Sequence, residues 1–294
     1  MILAHKIALD LTHKQAVSLA KAAGVARFSW NYGLAEWGKR YKAGGKPSGA
    51  SLKRHFNSIK REKYPWVYES PKDANQQPFT NLQKAFNRFF EKKGGYPKFK
   101  RKGVHDSFYV SNDKLSVDGK RIRLPKIGWL RLTEPLRFVG KIMSAAVSRT
   151  AGKWFVSLAV DAGEDYQKPR KSDGVVGIDI GIKTFAVMSD GREFKAPKPL
   201  KEQMDLLRRD TKRLSRKQKG SNRKRKARAR LAKRYSKISN IRNDFLHKLT
   251  TMICSENQVV VIEDLDVKGM MKRRGVRRFG RSLLDVCFGE FRRQ

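Results

Sequence analysis

Cysteine is almost missing from this 294-residue sequence: only Cys254 and Cys287 occur, and neither has the C-x-x-C spacing of a tetrahedral zinc site. A disulfide framework is excluded, and no zinc is expected in this chain. Acidic residues are scarce too, 27 against 67 lysines and arginines, which leaves a formal charge of +40. That charge on a folded chain requires a polyanionic partner. No apolar run reaches the length of a spanning helix and no signal-like segment precedes the first strand, so no membrane partner is expected. The protein reads as soluble and cytoplasmic, associated with the nucleoid. No internal repeat is visible. What is present is core material: 39% hydrophobic and 10% aromatic residues over a length that leans towards two domains.

Residues 1–9 read as a strand. Thr12, with Gln15 three residues on, has the capping-box pattern that opens a helix, predicted to run to about residue 41. Gly44-Gly45-Lys46-Pro47 breaks it, a second helix is predicted over 51–62, and Pro65 and Pro71 mark a loop. Within 75–90, Phe79, Leu82, Ala85, Phe86 and Phe89 fall at helical spacing. Trp30, Trp37, Phe86 and Phe89 are accordingly expected in the core. After Gly94-Gly95-Tyr96-Pro97 the texture changes to short alternating runs at 107–110, 115–117, 122–124, 139–149 and 154–160. These predict an antiparallel barrel or curled sheet, which residues 1–9 can join, with a hairpin turning at Ala151-Gly152.

The polar stretch 163–173, containing Pro169, is predicted to separate two domains. Beyond it an apolar strand over 175–181 carries one acid, Asp179, and short strands at 184–188 and 193–195 flank an Asp190-Gly191 turn. A charged helical segment over 200–234, interrupted at Gly220-Ser221-Asn222, precedes an amphipathic helix marked by Ile238, Ile241, Phe245, Leu249, Met252 and Ile253. Cys254, in that apolar stripe, is expected to be a small core hydrophobe. The two helical segments are expected to pack as an antiparallel hairpin. Residues 258–263 read as another buried strand ending in an acid, Glu263, consistent with a mostly parallel sheet.

An unpaired carboxylate in a buried strand is costly, so Asp179 and Glu263 are expected to have a cation. Two adjacent strand-borne carboxylates can hold Mg²⁺, which favours oxygen ligands and stabilises the attacking and leaving oxygens of a phosphodiester. The plainer alternative is that each acid is salt-bridged or caps the next element.

Over 211–234, 13 of 24 residues are Lys or Arg and none is acidic. Such a stretch repels itself in solvent but gains counterion-release affinity against phosphate. Its candidate backbone contacts are Lys212, Arg213, Arg216, Lys217, Arg223, Lys224, Arg225, Lys226, Arg228 and Arg230. Lys98, Lys100, Arg101 and Lys102, beside Tyr96 and Phe99, form a second basic stretch with aromatics for stacking.

Several segments are similar, in order, to those of TnpB, the transposon-encoded RNA-guided nucleases related to type V CRISPR effectors. Gly177-Ile178-Asp179-Ile180-Gly181-Ile182-Lys183 with Phe185-Ala186 resembles the first RuvC motif, and Val261-Ile262-Glu263-Asp264-Leu265 the second. The segments 243–250, Phe288-Gly289-Glu290-Phe291, Tyr96-Pro97-Lys98-Phe99-Lys100 and Leu124-Pro125-Lys126-Ile127-Gly128 also fit.

The resemblance implies a mixed α+β and α/β chain. Residues 1–9 and 95–165 would form a wedge-like β-barrel, 10–94 an inserted helical recognition domain, 166–173 a linker and 174–294 an RNase H-like RuvC domain with a basic helical hairpin. It implies a guide RNA and a matched double-stranded DNA as partners, guide pairing supplying specificity. It assigns Asp179 and Glu263 to catalysis with Mg²⁺, and Lys72 and Gln76, with Ser111 and Asn112, to reading a short motif beside the target.

The family pattern continues into a four-cysteine ribbon and a third motif whose Asp completes the metal site, whereas this sequence stops at Gln294. Asp264, Asp266 and Asp285 lie beside the second motif or in the following segment and are not taken as substitutes. The expectations are a DNA-targeting protein with an incomplete site, or a fragment of an active endonuclease. A generic basic RNA-binding protein ranks last, since it gives no reason for acids in two strands at RuvC positions.

Overall fold

Alternation along the first nine-residue strand, β1 (Ile2–Asp10), turns His5 and Ile7 inward. In the computed structural model, which describes residues 1–163, 173–266 and 287–294, the chain divides into two compact units, Met1–Tyr166 and Gln167–Gln294. Of the linker read from the sequence, only Asp173 lies within the described residues. Among these residues no helix is long and apolar enough to cross a membrane.

In the first unit the capping box opens α1 (His13–Lys42). Gln15 N donates to Thr12 Oγ1 at 3.3 Å and Thr12 N to Gln15 Oε1 at 2.9 Å, satisfying two end donors reciprocally. Then come α2 (Gly49–Lys63) and α3 (Lys72–Phe90). Trp37 of α1 stacks on Phe86 of α3 with centroids 3.9 Å apart, and both are buried with Trp30, while Phe89 is partly buried against the same core. At the start of α2 a β-carbon on Gly49 would meet the Phe79 carbonyl oxygen at 2.6 Å, so glycine lets α2 rest on α3.

Six more strands follow: β2 (Ser107–Ser111), β3 (Ser116–Asp118), β4 (Arg121–Leu124), β5 (Gly128–Leu132), β6 (Lys141–Thr150) and β7 (Lys153–Asp161). They form one antiparallel sheet in the order β2-β6-β7-β1-β5-β4-β3. β1 joins its halves, pairing through residues 2–8 with β7 and through Leu9 with Leu132 of β5. The sequence reading missed β5, although Leu130 and Leu132 alternate with exposed neighbours and are buried. The β6–β7 hairpin turns at Ala151 (φ 50°) and Gly152 (φ 88°), the paired left-handed geometry that matches strand twist.

The second unit holds β8 (Gly174–Ile180), β9 (Ala186–Met188), β10 (Glu193–Phe194) and β11 (Asn257–Ile262) in the order β10-β9-β8-β11. Among the described residues only the β8–β11 pair is parallel. This corrects the mostly parallel sheet expected: the links between β8, β9 and β10 are too short for crossovers, so those neighbours run antiparallel.

α4 (Pro199–Ser215) and α5 (Asn222–Glu256) form the hairpin, bending within the basic stretch rather than after it. Ser221 caps α5 by accepting from Lys224 N at 3.1 Å, and the helix runs unbroken into its amphipathic half. Arg234 Nε donates to the buried Asp210 at 2.6 Å, tying α5 to α4. Cys254 is exposed, not core; Ile253 holds the buried position and the next residue lies about 100° around the helix.

Candidate carboxylate pair and nucleic-acid interface

β8 turns Val176, Ile178 and Ile180 into the second core, which leaves Val175, Gly177 and Asp179 on the opposite face. On β11, Val259 and Val261 share that face, because Val259 pairs with Val175, Val261 with Gly177 and Ile262 with Ile178. The paired residues end at Ile262 and Ile178, so Glu263 and Asp179 each follow the last pair by one residue.

Their environment is not the one expected. Both carboxylates are exposed, as are Val175 (68%) and Val261 (58%), because β11 is an edge strand and this face carries no packed layer among the described residues. The desolvation argument for a cation lapses. The salt-bridge alternative is not realised either: among the described residues neither acid makes a hydrogen bond or ion pair. Two oxygen donors without a counter-cation fit a hard divalent ion that keeps several waters. Among the described residues no group of three or more metal-binding side chains is assembled. Asp264 is ion-paired with Arg292, and Asp285 lies outside the described residues.

The motif's other residues are structural. A β-carbon on Gly181 would meet the Thr184 carbonyl oxygen at 2.7 Å, so the tight turn ending Asp179's strand requires glycine. Phe185 is fully buried, packed at centroid distances of 5.3 Å on Phe245, 5.9 Å on Phe288 and 5.1 Å on Phe291, the latter two in α6 (Phe288–Arg293). Aromatics from three motif-like segments thus meet beneath the carboxylate strand. In α6, Arg293 donates to Glu290 and holds its carboxyl down at about 2.

In the first unit a cavity of about 820 Å³ opens where α3 begins and β2 ends. Lys72, Gln76 and Ser111 line it, so three of the four residues expected to read a DNA motif are brought together; Asn112 is exposed next to it and does not line it. Sequence reasoning missed Asp73, Lys114, Arg123 and Lys126 in the same wall. Lys126 was within a family-like segment, and its left-handed φ of 64° is a turn signal.

The two basic stretches differ. Lys212, Arg213, Arg216, Lys217, Arg223, Arg225, Lys226, Arg228 and Arg230 are exposed on the α4–α5 hairpin, Lys224 is half-buried, and among the described residues none of the ten forms an ion pair. In the other stretch Lys98, Lys100 and Arg101 are exposed, but the backbone is fastened to α1. Lys98 O accepts from Trp30 Nε1 at 3.0 Å, and Asn31 brackets Lys100 through both backbone groups. The Lys100 ammonium sits 4.2 Å from the Trp30 ring centroid, so its first partner is an indole.

Residues 146–274 match the OrfB_IS605 family, described as "Probable transposase", and residues 1–46 match a "Helix-turn-helix domain". The latter residues fold here as a strand and one long helix. An Escherichia coli protein named "Putative RNA-guided DNA endonuclease InsQ" is 33% identical over 99% of this chain and 76% of its own length. A Streptomyces pristinaespiralis "Putative RNA-guided DNA endonuclease" is 32% identical over 96% of this chain and 70% of its own. Among solved structures, a chain of a CRISPR-Cas12f ternary complex covers 94% of this chain and is covered over 69% of its own, at 13% identity and a TM-score of 0.35. With a third of its residues shared with InsQ along nearly its full length, the chain belongs to the TnpB family, that of the IS605 OrfB proteins.

Proposed function

We propose that this chain is an RNA-guided DNA-targeting protein that binds a guide RNA and a matched double-stranded DNA beside a short motif. In this reading residues 1–9 and 95–165 act as a wedge-like barrel, 10–94 as the recognition helices and 174–294 as a RuvC-like, RNase H-type unit. Asp179 and Glu263 are its catalytic carboxylates and its Mg²⁺ ligands. The observation that supports the proposal is the parallel β8–β11 pairing, whose last pair, Ile262 with Ile178, lies one residue before each of two acids 84 residues apart in sequence. Mg²⁺ would supply charge stabilisation at the scissile phosphate, and these two side chains would hold it. The exposed cations of the α4–α5 hairpin supply phosphate affinity without sequence preference.

Occupancy with little cutting is a second reading, in which the exposed, unpaired cations of the α4–α5 hairpin hold nucleic acid without strand breakage. Gel shift and cleavage on one matched target in Mg²⁺ test both readings, using the 294-residue chain, Asp179→Ala and Glu263→Ala, each loaded with guide. All three are expected to bind matched DNA in a guide-dependent way, with weak strand breakage in the parent and none in the variants. Binding that ignores the guide would sink the function; breakage undiminished in both variants would sink the site.

A further inference from the structure

Asp73 is one of two acids, with Asp113, in a cavity wall that also presents four cations, Lys72, Lys114, Arg123 and Lys126, and it sits between the two α3 residues expected to read DNA. One of its oxygens is fully used. Oδ2 accepts from Ser111 N at 2.8 Å and from Ser111 Oγ at 2.7 Å, pinning the end of β2 to the first turn of α3. The same hydroxyl touches Asp113. A serine hydroxyl has one proton, and here two carboxylates compete for it, so none remains to donate to a base. Asp73 Oδ1, by contrast, has no hydrogen-bond partner among the described residues.

Electrostatics limits what that oxygen can meet. A carboxylate repels phosphate, so in a wall otherwise suited to a DNA backbone its favourable nucleic-acid contact is a base-edge amine, adenine N6 or cytosine N4. Asp73 and Gln76 are three residues apart on α3 and so share a helix face, and glutamine is itself an adenine reader. We infer that Asp73 is a specificity-determining residue: through Oδ2 it positions Ser111 and the β2 end, and through Oδ1 it selects an amino-bearing base in the motif beside the target. Ser111 then supports the site and reads nothing. This inference rests on the function proposed above.

The experiment presents guide-loaded protein with duplexes that share a matched target but carry randomised flanking bases, and sequences the bound fraction. The parent chain is expected to enrich adenine or cytosine at one flanking position, roughly ten- to a hundredfold over the other bases, and the enriched base identifies the amine. Asp73→Asn can still hold Ser111 through its carbonyl while presenting an amide donor in place of Oδ1. Its preference at that one position is expected to move to guanine or thymine, whose edges accept. Ser111→Ala should lower the thermal midpoint and leave the preferred base unchanged. An Asp73→Asn profile identical to the parent's, or flattened equally at every position, would overturn the inference, as would a changed base preference in Ser111→Ala. A parent chain with no flanking preference at all would instead overturn the proposed function.

Discussion

Arg223, Lys226 and Arg230 stand at i, i+3 and i+7 on α5, which puts three exposed cations on one helix face, none of them ion-paired among the described residues. Replacing all three with glutamine keeps helix propensity close to that of lysine and arginine while removing three charges. If this face lies against nucleic-acid phosphates, each lost contact lowers the slope of log K against log salt by about 0.7 for single strands or 0.9 for duplex, so the triple variant should lose about 2 to 3 units of slope. Between 50 and 200 mM salt, the parent should therefore lose about 20- to 40-fold more affinity than the variant. Filter binding of the guide RNA across that range is the assay. The free variant should also be slightly more helical, because repulsion between these three cations is relieved. An unchanged slope with weakened binding would show that the face acts through something other than phosphate contact and would refute the reasoning.

Asp210 is 4% exposed and pairs with Arg234, which also donates to Gln203 at 3.2 Å. Asp210→Ala should cost about 2 kcal/mol in urea unfolding, discounted from a fully buried pair because Arg234 keeps some solvent; a loss under about 0.5 kcal/mol would return the pair to ordinary surface status. His5 is 6% exposed, and burial first, then Arg137, lowers its pKa, opposed by Glu134. Between that lowered value and 6.5 the unfolded chain binds more protons, so stability should rise with pH through the window and be lost on acidification below 6.5. A His5→Gln variant should show a shallower pH dependence of its melting midpoint, and an equal one would exclude His5 as the cause. Mg²⁺ at about 100 times its Kd should stabilise the parent chain by about 2.7 kcal/mol by mass action, and Asp179→Ala should abolish the response. Equal calorimetric shifts with and without Asp179 would place the ion elsewhere.

Local patterns carried far in this chain. The capping box at Thr12, the left-handed turn at Ala151-Gly152 and the helical spacing of Trp37 and Phe86 each depend on neighbours within a few residues, and each is found as read. Failures came where partners are distant. Gly128–Leu132 is a strand because β1 and β4 flank it, and its alternation was overlooked. Cys254 belongs to an apolar run yet faces out, since periodicity marks a stripe but not its edges. The valines of β11 read as buried because nothing local tells an apolar strand covered on both faces from one left open at a sheet edge.

The sequence by itself determined that the chain is a basic, folded member of its family with acids at Asp179 and Glu263, since charge, composition and motif order are properties of the chain. Only the tertiary structure decided that β8 and β11 pair in parallel up to the residue before each acid, and that among the described residues both acids are exposed. It likewise decided that Lys72, Gln76 and Ser111 share a cavity with Asp73. The physical reason is that register and helix–strand docking are long-range choices, set by which apolar faces bury each other, and they bring together residues whose spacing in sequence carries no trace of the contact.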